Sequence, residues 1–154
     1  MNLALLLFDV ARRQPQRPAI SDSTHAWKYG EFARRISCLG GGLRAHGLEP
    51  GDRVMLCMEN CAEFFEMLFA CWTAGLCAVP VNARLHPDEV THIARDSRAR
   101  LLVATPGLAA ALTPLKDTVE TLSAVISTDS DRYAVLLERG APLRPVAGAT
   151  ARRT

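Results

Sequence analysis

Six consecutive residues, Gly40-Gly41-Gly42-Leu43-Arg44-Ala45, satisfy the G-x-G-x-x-A spacing that lets backbone N–H groups approach a dinucleotide pyrophosphate. That chemistry needs the glycines at a strand-to-helix turn, where free N–H groups and the helix dipole both face the phosphates. Here the glycines fall inside a helical apolar pattern, so they read as a weakened helix, costing about 2–3 kcal/mol against three alanines. The other reactive side chains are five cysteines (Cys38, Cys57, Cys61, Cys71, Cys77) and four histidines (His25, His46, His86, His92). A zinc site would require Cys57, Cys61, His86 and His92 to converge, and their spacings match no common zinc pattern. The cysteines lack a C-x-x-C pair and lie in apolar stretches, where a reduced thiol behaves as a small hydrophobe. His25 and His46 fall in a loop or at a helix end, His86 at a helix cap and His92 on a helix surface. None has a nameable partner that would orient it for proton transfer. No Walker-type loop, zincin helix, nucleophile elbow or catalytic-cysteine signature occurs.

The elements that would position these residues follow from periodicity. Leu3, Leu6, Leu7 and Val10 recur at helical spacing, and Asp9 interrupts the run, so the N-terminus reads as an amphipathic helix and not a signal peptide. Pro15 and Pro18 stop it. Ala19–Ser21 and His25–Tyr29 are short strands about the turn Asp22-Ser23-Thr24. Phe32, Ile36, Leu39 and Leu43 share one face of a helix over Gly30–His46, with Gly47 as its C-terminal cap. Val54–Met58 is a buried strand. Asn60 then caps a helix with Glu63 three residues on, which packs Phe65, Leu68, Phe69 and Trp72 and stops at Gly75. Cys77–Val81 is a strand, and Pro87, Asp88 and Glu89 suit the first turn of another helix. Strands at Leu101–Ala104 and Ala124–Ser127 precede weaker helices over Gly107–Leu112 and Arg132–Arg139.

Strands alternating with helices of this length imply parallel pairing through crossovers. The expected fold is α/β: an open, doubly wound parallel sheet of about four strands with helices on both faces, plus a short N-terminal strand pair. Residues 1–138 form this α/β part, and residues 139–154, rich in Pro, Gly and Ala, a loop or disordered tail. A net charge of +2 spread along the chain excludes an electrostatic footprint for nucleic acid. Phe64–Val81, broken by Glu66, Thr73, Gly75 and Pro80, is no transmembrane segment. Reduced thiols point to the cytoplasm.

Three stretches in series, over about residues 15–104, resemble the N-terminal region of the adenylate-forming superfamily. WKYGEFARR resembles its T-Y-x-E-L box through Tyr29, Glu31 and Phe32. LEPGDRVMLCMENCAEF resembles its G-D-R-V strand and Asn-led helix. The segment from Phe69 to Val103 resembles the A-G-x-x-x-x-P-x-N stretch with the helix and strand after it, through Ala74, Gly75, Pro80, Asn82, Asp96, Ser97 and Leu102. The Pro-x-Asn form favours a fatty or aryl acid:CoA ligase over a peptide-synthetase module.

The resemblance implies an AMP-forming enzyme that uses ATP, Mg²⁺ and CoA. In that family the phosphate-binding Ser/Thr/Gly-rich loop, the metal-holding Thr-Glu, the ribose-binding Asp and the catalytic lysine all lie C-terminal to the stretch matched here. The expectation is therefore a truncated N-terminal fragment, inactive alone, with no catalytic, cofactor-binding or metal residue of its own. The missing remainder of the ligase is its expected partner, and exposed apolar faces would favour self-association. One piece of a split ligase, or a non-catalytic binding domain, are the alternatives. Two departures stand out: Gly40–Gly42 falls where relatives usually carry alanine or larger residues, and His86 replaces a Ser/Thr/Asp-type cap. Gly107–Ala111 offers no arginine for a CoA nucleotide.

Overall fold

The computed structural model describes residues 2–146. In chain order the elements are α1 (Ala4–Arg13), β1 (Pro18–Ser21), β2 (Ala26–Lys28), α2 (Tyr29–Ala45), β3 (Arg53–Cys57), α3 (Ala62–Thr73) and β4 (Cys77–Val81). There follow α4 (Pro87–Asp96), β5 (Leu101–Ala104), α5 (Pro106–Leu112), α6 (Leu115–Thr118), β6 (Ala124–Ser127) and α7 (Asp131–Arg139). β1 and β2 pair antiparallel, and the other four strands form a parallel sheet in the order β4-β3-β5-β6. The expected architecture is the observed one. The short α6 had no periodic signal.

Every residue of β5 is buried, and β3 is buried from Val54 onward, as a strand covered on both faces must be. The pleat divides them. Val54, Leu56, Leu101, Val103, Ala124 and Ile126 join one core with α1, α2, α3 and α7. Met55, Cys57, Leu102 and Ala104 join the other with α4, α5 and α6. Gly47 and Gly75 take positive φ values of 98° and 74° just past α2 and α3, ending both helices as expected.

Three expectations need correction. Asn60 does not cap α3: the N-cap residue is Cys61, without a side-chain cap bond, and Asp22 from the β1–β2 turn accepts from Ala62 N–H at 2.8 Å instead. A carboxylate already fixed by the hairpin outcompetes a local amide. Phe65 does not pack inward but is 46% exposed, because α3 turns Ala62, Glu66, Met67, Ala70 and Cys71 to the core. Among the thiols only Cys57 and Cys71 are buried, Cys38 and Cys61 are half-buried, and Cys77 is exposed on an edge strand; all five are free.

The glycine run acquires a reason. α7 and the segment after it cross α2 so closely that a Cβ on Gly42 would overlap the Leu136 carbonyl. One on Gly41 would overlap Ala141, and one on Gly140 would overlap the Cys38 carbonyl. The strap at 140–146 is tied down further: Leu143 N–H donates to the Ser37 carbonyl at 3.0 Å, and the Ser37 hydroxyl donates to the Leu143 carbonyl at 2.5 Å. This part of the expected tail is irregular but docked; residues 147–154 lie outside the described residues.

Candidate functional site

In an open parallel sheet, ligands collect beyond the carboxyl ends of the strands, where the strand order reverses. Here β3 connects outward to β4 while β5 connects the other way to β6, so the reversal lies between β3 and β5. Thr105, just after β5, is buried, and its hydroxyl accepts from Glu59 N–H at 3.3 Å, bridging that gap. Beside it, the segments after β3 and β4 wall an open cleft of about 660 Å³ with Glu59, Asn60, Asn82 and Arg84 as its polar lining. The Asn82 side chain accepts from Arg84 N–H at 2.9 Å, fixing the turn that carries the arginine. The cleft combines one cation and one carboxylate with amides, so it can hold a polar group. It contains no paired nucleophile and base.

The segment after β5 has a single glycine, Gly107, and Pro106 removes a backbone donor from the first turn of α5. No reaction step is therefore assigned to these residues.

The strongest electrostatic feature lies elsewhere, between α2, α3 and α7. Glu66 is fully buried. It accepts from Arg35 Nε at 2.5 Å and Nη2 at 3.3 Å, and from the Tyr133 hydroxyl at 2.7 Å. Burial raises the Glu66 carboxyl above its usual range, while the bonds from Arg35 and Tyr133 pull it back. Burial raises Tyr133 as well, reinforced by the Glu66 charge. Arg35 in turn lies over the Trp27 ring at 4.2 Å, and Trp27 meets His25 at 4.7 Å between centroids. This arrangement is a clamp on three helices; a protonated or ionised Glu66 reaches no open surface.

His25 stands 3.5 Å from both Asp22 Oδ1 and Glu63 Oε1. His86 occupies the cap position expected of it. Its ring accepts from Asp88 N–H at 3.3 Å while Glu89 accepts from His86 N–H at 2.9 Å. His92 is exposed on α4, and His46 ends α2, where burial and then the Arg132 charge lower its pKa. Cys57, Cys61, His86 and His92 do not converge. Among the described residues Asp22, His25 and Glu63 form the only group of three metal-ligating side chains. Burial pushes the Cys61 thiol up to about 11. Sequence reasoning missed both the Arg35–Glu66–Tyr133 clamp and the Asp22–His25–Glu63 group, since each joins elements distant in the chain. The one available signal was an acidic residue, Glu66, in the middle of the apolar run of α3.

Residues 7–149 match the family described as AMP-binding enzyme. The chain belongs to that family. Feruloyl-CoA synthase from an Amycolatopsis species is 43% identical over 96 residues, which are 62% of this chain and 20% of that protein. The fatty acid–[acyl-carrier-protein] ligase ScoC of Streptomyces coeruleorubidus is 38% identical over 92 residues, or 60% and 18%. The chain thus spans about a fifth of the length of these curated relatives. Among solved structures, the N-terminal domain of FACL13 from Mycobacterium tuberculosis aligns with a TM-score of 0.83 at 25% identity. That alignment covers 96% of this chain and 38% of the FACL13 chain. The anthranilate CoA ligase AuaEII, with a TM-score of 0.87 and 19% identity over 95% of this chain and 29% of its own, shares the fold. The AMP-binding family member described here therefore has the α/β fold seen in the N-terminal domain of FACL13.

Proposed function

We propose that this chain is the N-terminal scaffold of an acid:CoA ligase acting on a fatty or aryl carboxylic acid. In the whole enzyme the carboxylate attacks the α-phosphate of ATP, forming acyl-adenylate and releasing pyrophosphate. The thiol of CoA then attacks the acyl carbon, forming the thioester and releasing AMP. Both steps build charge on phosphate oxygens, which needs a metal ion, a cation and aligned donors. Those groups, with the sites for ATP, Mg²⁺ and CoA, belong to the remainder of the ligase. The supporting observation is the family match over residues 7–149, joined to CoA ligase neighbours that the chain covers only in part. The names of the relatives support both acid classes, feruloyl-CoA synthase the aryl and ScoC the fatty.

The remainder of the ligase is the proposed partner. Leu6 and Phe65 are 58% and 46% exposed, and Phe65 borders an apolar hollow of about 310 Å³ lined also by Leu7, Ile20, Phe32 and Phe69. Among the described residues no helix is long and apolar enough to cross a membrane, and five unpaired thiols support a reducing, cytoplasmic setting. The test is direct. Purified chain, ATP, Mg²⁺ and ferulate, benzoate or a fatty acid are incubated, and pyrophosphate and acyl-adenylate are followed. The expected result is neither product from this chain alone. Acyl-adenylate formed without a second polypeptide would overturn the scaffold reading.

A further inference from the structure

The β1–β2 turn and the first turn of α3 bring together three side chains of different ligand type. His25 Nδ1 lies 3.5 Å from Asp22 Oδ1 and 3.5 Å from Glu63 Oε1, and one donor atom from each residue falls within 4.8 Å of the other two. Metal bonds of about 2.0–2.2 Å from imidazole and carboxylate put tetrahedral ligands about 3.3–3.6 Å apart. The His25–Glu63 separation therefore already matches that of two ligands on one ion. All three residues are half-buried, Asp22 and His25 in the β1–β2 turn and Glu63 in the first turn of α3.

Charge makes an independent case. Two carboxylates meet here, and among the described residues no lysine or arginine pairs with either; the adjacent guanidinium, Arg35, is committed to Glu66.

We propose that Asp22, His25 and Glu63 bind a divalent transition-metal ion of the zinc class, with water in the remaining position. One imidazole and two carboxylates suit such an ion, whereas calcium and magnesium favour all-oxygen shells. Asp22 is a preset ligand. Its Oδ1 accepts from the Thr24 and His25 N–H groups, each at 2.7 Å, and from the Thr24 hydroxyl at 2.9 Å. Its Oδ2 accepts only from Ala62, which leaves a lone pair for the ion. Outer hydrogen bonds of this kind orient ligating carboxylates in established sites. The Thr24 hydroxyl lies 2.9 Å from His25 Nδ1; the ion displaces that contact and takes the Nδ1 lone pair, with the imidazole proton on Nε2. Bound there, the metal fastens the β1–β2 hairpin to the start of α3, a structural role independent of the ligase reading.

The experiment uses the whole chain after chelator treatment, titrated with Zn²⁺, Co²⁺ and Mg²⁺ by calorimetry and thermal unfolding. One Zn²⁺ should bind per chain with micromolar or tighter affinity and raise Tm by several degrees. Co²⁺ should give a four-coordinate absorption spectrum without a thiolate band. His25→Gln and Glu63→Gln should each weaken binding at least about tenfold, the scale on which even outer-shell losses act. Cys61→Ser and Cys77→Ser should leave it intact. The proposal is overturned by no binding, by equal binding of Mg²⁺, by binding that survives both glutamine variants, or by binding lost with either serine variant. If one glutamine variant fails to fold, the other and the Co²⁺ spectrum decide.

Discussion

Gly42→Ala separates the two accounts of the glycine run by sign. Helix propensity alone makes the change stabilising by about 1 kcal/mol, since Gly42 sits in the interior of α2. The crossing of α7 reverses this. The new methyl would lie 2.8 Å from Leu136 Cα and overlap the Leu136 carbonyl, and these obstructing atoms are backbone that cannot rotate aside. Overpacking costs typically about 1–3 kcal/mol, and a rigid backbone obstacle belongs at or above the upper end. Subtracting the propensity gain leaves a net loss of about 2 kcal/mol. For a chain of this size 1 kcal/mol moves Tm by roughly 2–4 °C, so the expected fall is roughly 4–8 °C. The internal control is Gly107→Ala in α5, where nothing lies within 4 Å of the added Cβ. That variant should gain up to about 1 kcal/mol. Thermal and urea unfolding followed by circular dichroism measure both. A Gly42→Ala chain that melts above the parent, as Gly107→Ala should, would refute the close-crossing argument.

Two further expectations concern the polar contacts. Arg35→Met strands the buried Glu66 carboxylate and should cost about 3–5 kcal/mol in urea unfolding. Adding Glu66→Met should recover most of that loss; a double variant as unstable as the single would show that the charge is not the cause. Asp22 gives a pH signature. Its bonds to Ala62, Thr24 and His25 hold the carboxyl well below its ordinary range. A depressed folded pKa contributes stability above the unfolded value, about 3.9 for aspartate, and that contribution fades as pH falls further. Asp22→Asn should therefore be less stable near neutrality and flatten the acid limb, the two curves drawing together as pH falls below about 3.9. Parallel curves down to acid pH would remove Asp22 from the account.

Legibility followed distance along the chain. The alternation of β3 through β6 with their helices was readable because each element advertises its own period, and Gly47, Gly75 and His86 act within one turn of themselves. What depended on a second segment was hidden. The α3 cap belongs to Asp22, forty residues before Ala62 in the chain. Phe65 faces outward because Glu66, with partners on α2 and α7, claims the interior. Gly40–Gly42 looked like a defect in one helix until α7 crossed it. The reactive groups of the proposed ligase were assigned by resemblance alone, since no period or spacing in these residues points to them.

The Tyr133–Glu66 contact also sets a clock for biosynthesis. Its partners are 67 residues apart, so at about 5–20 residues per second the ribosome takes roughly 3–13 s to supply Tyr133 after Glu66. Both α2 and α3 are complete well before α7 is made, and until then the face that α7 will cover opens Glu66 to water. The first half of the chain cannot complete its packing as it is made, and must wait for the last helix described.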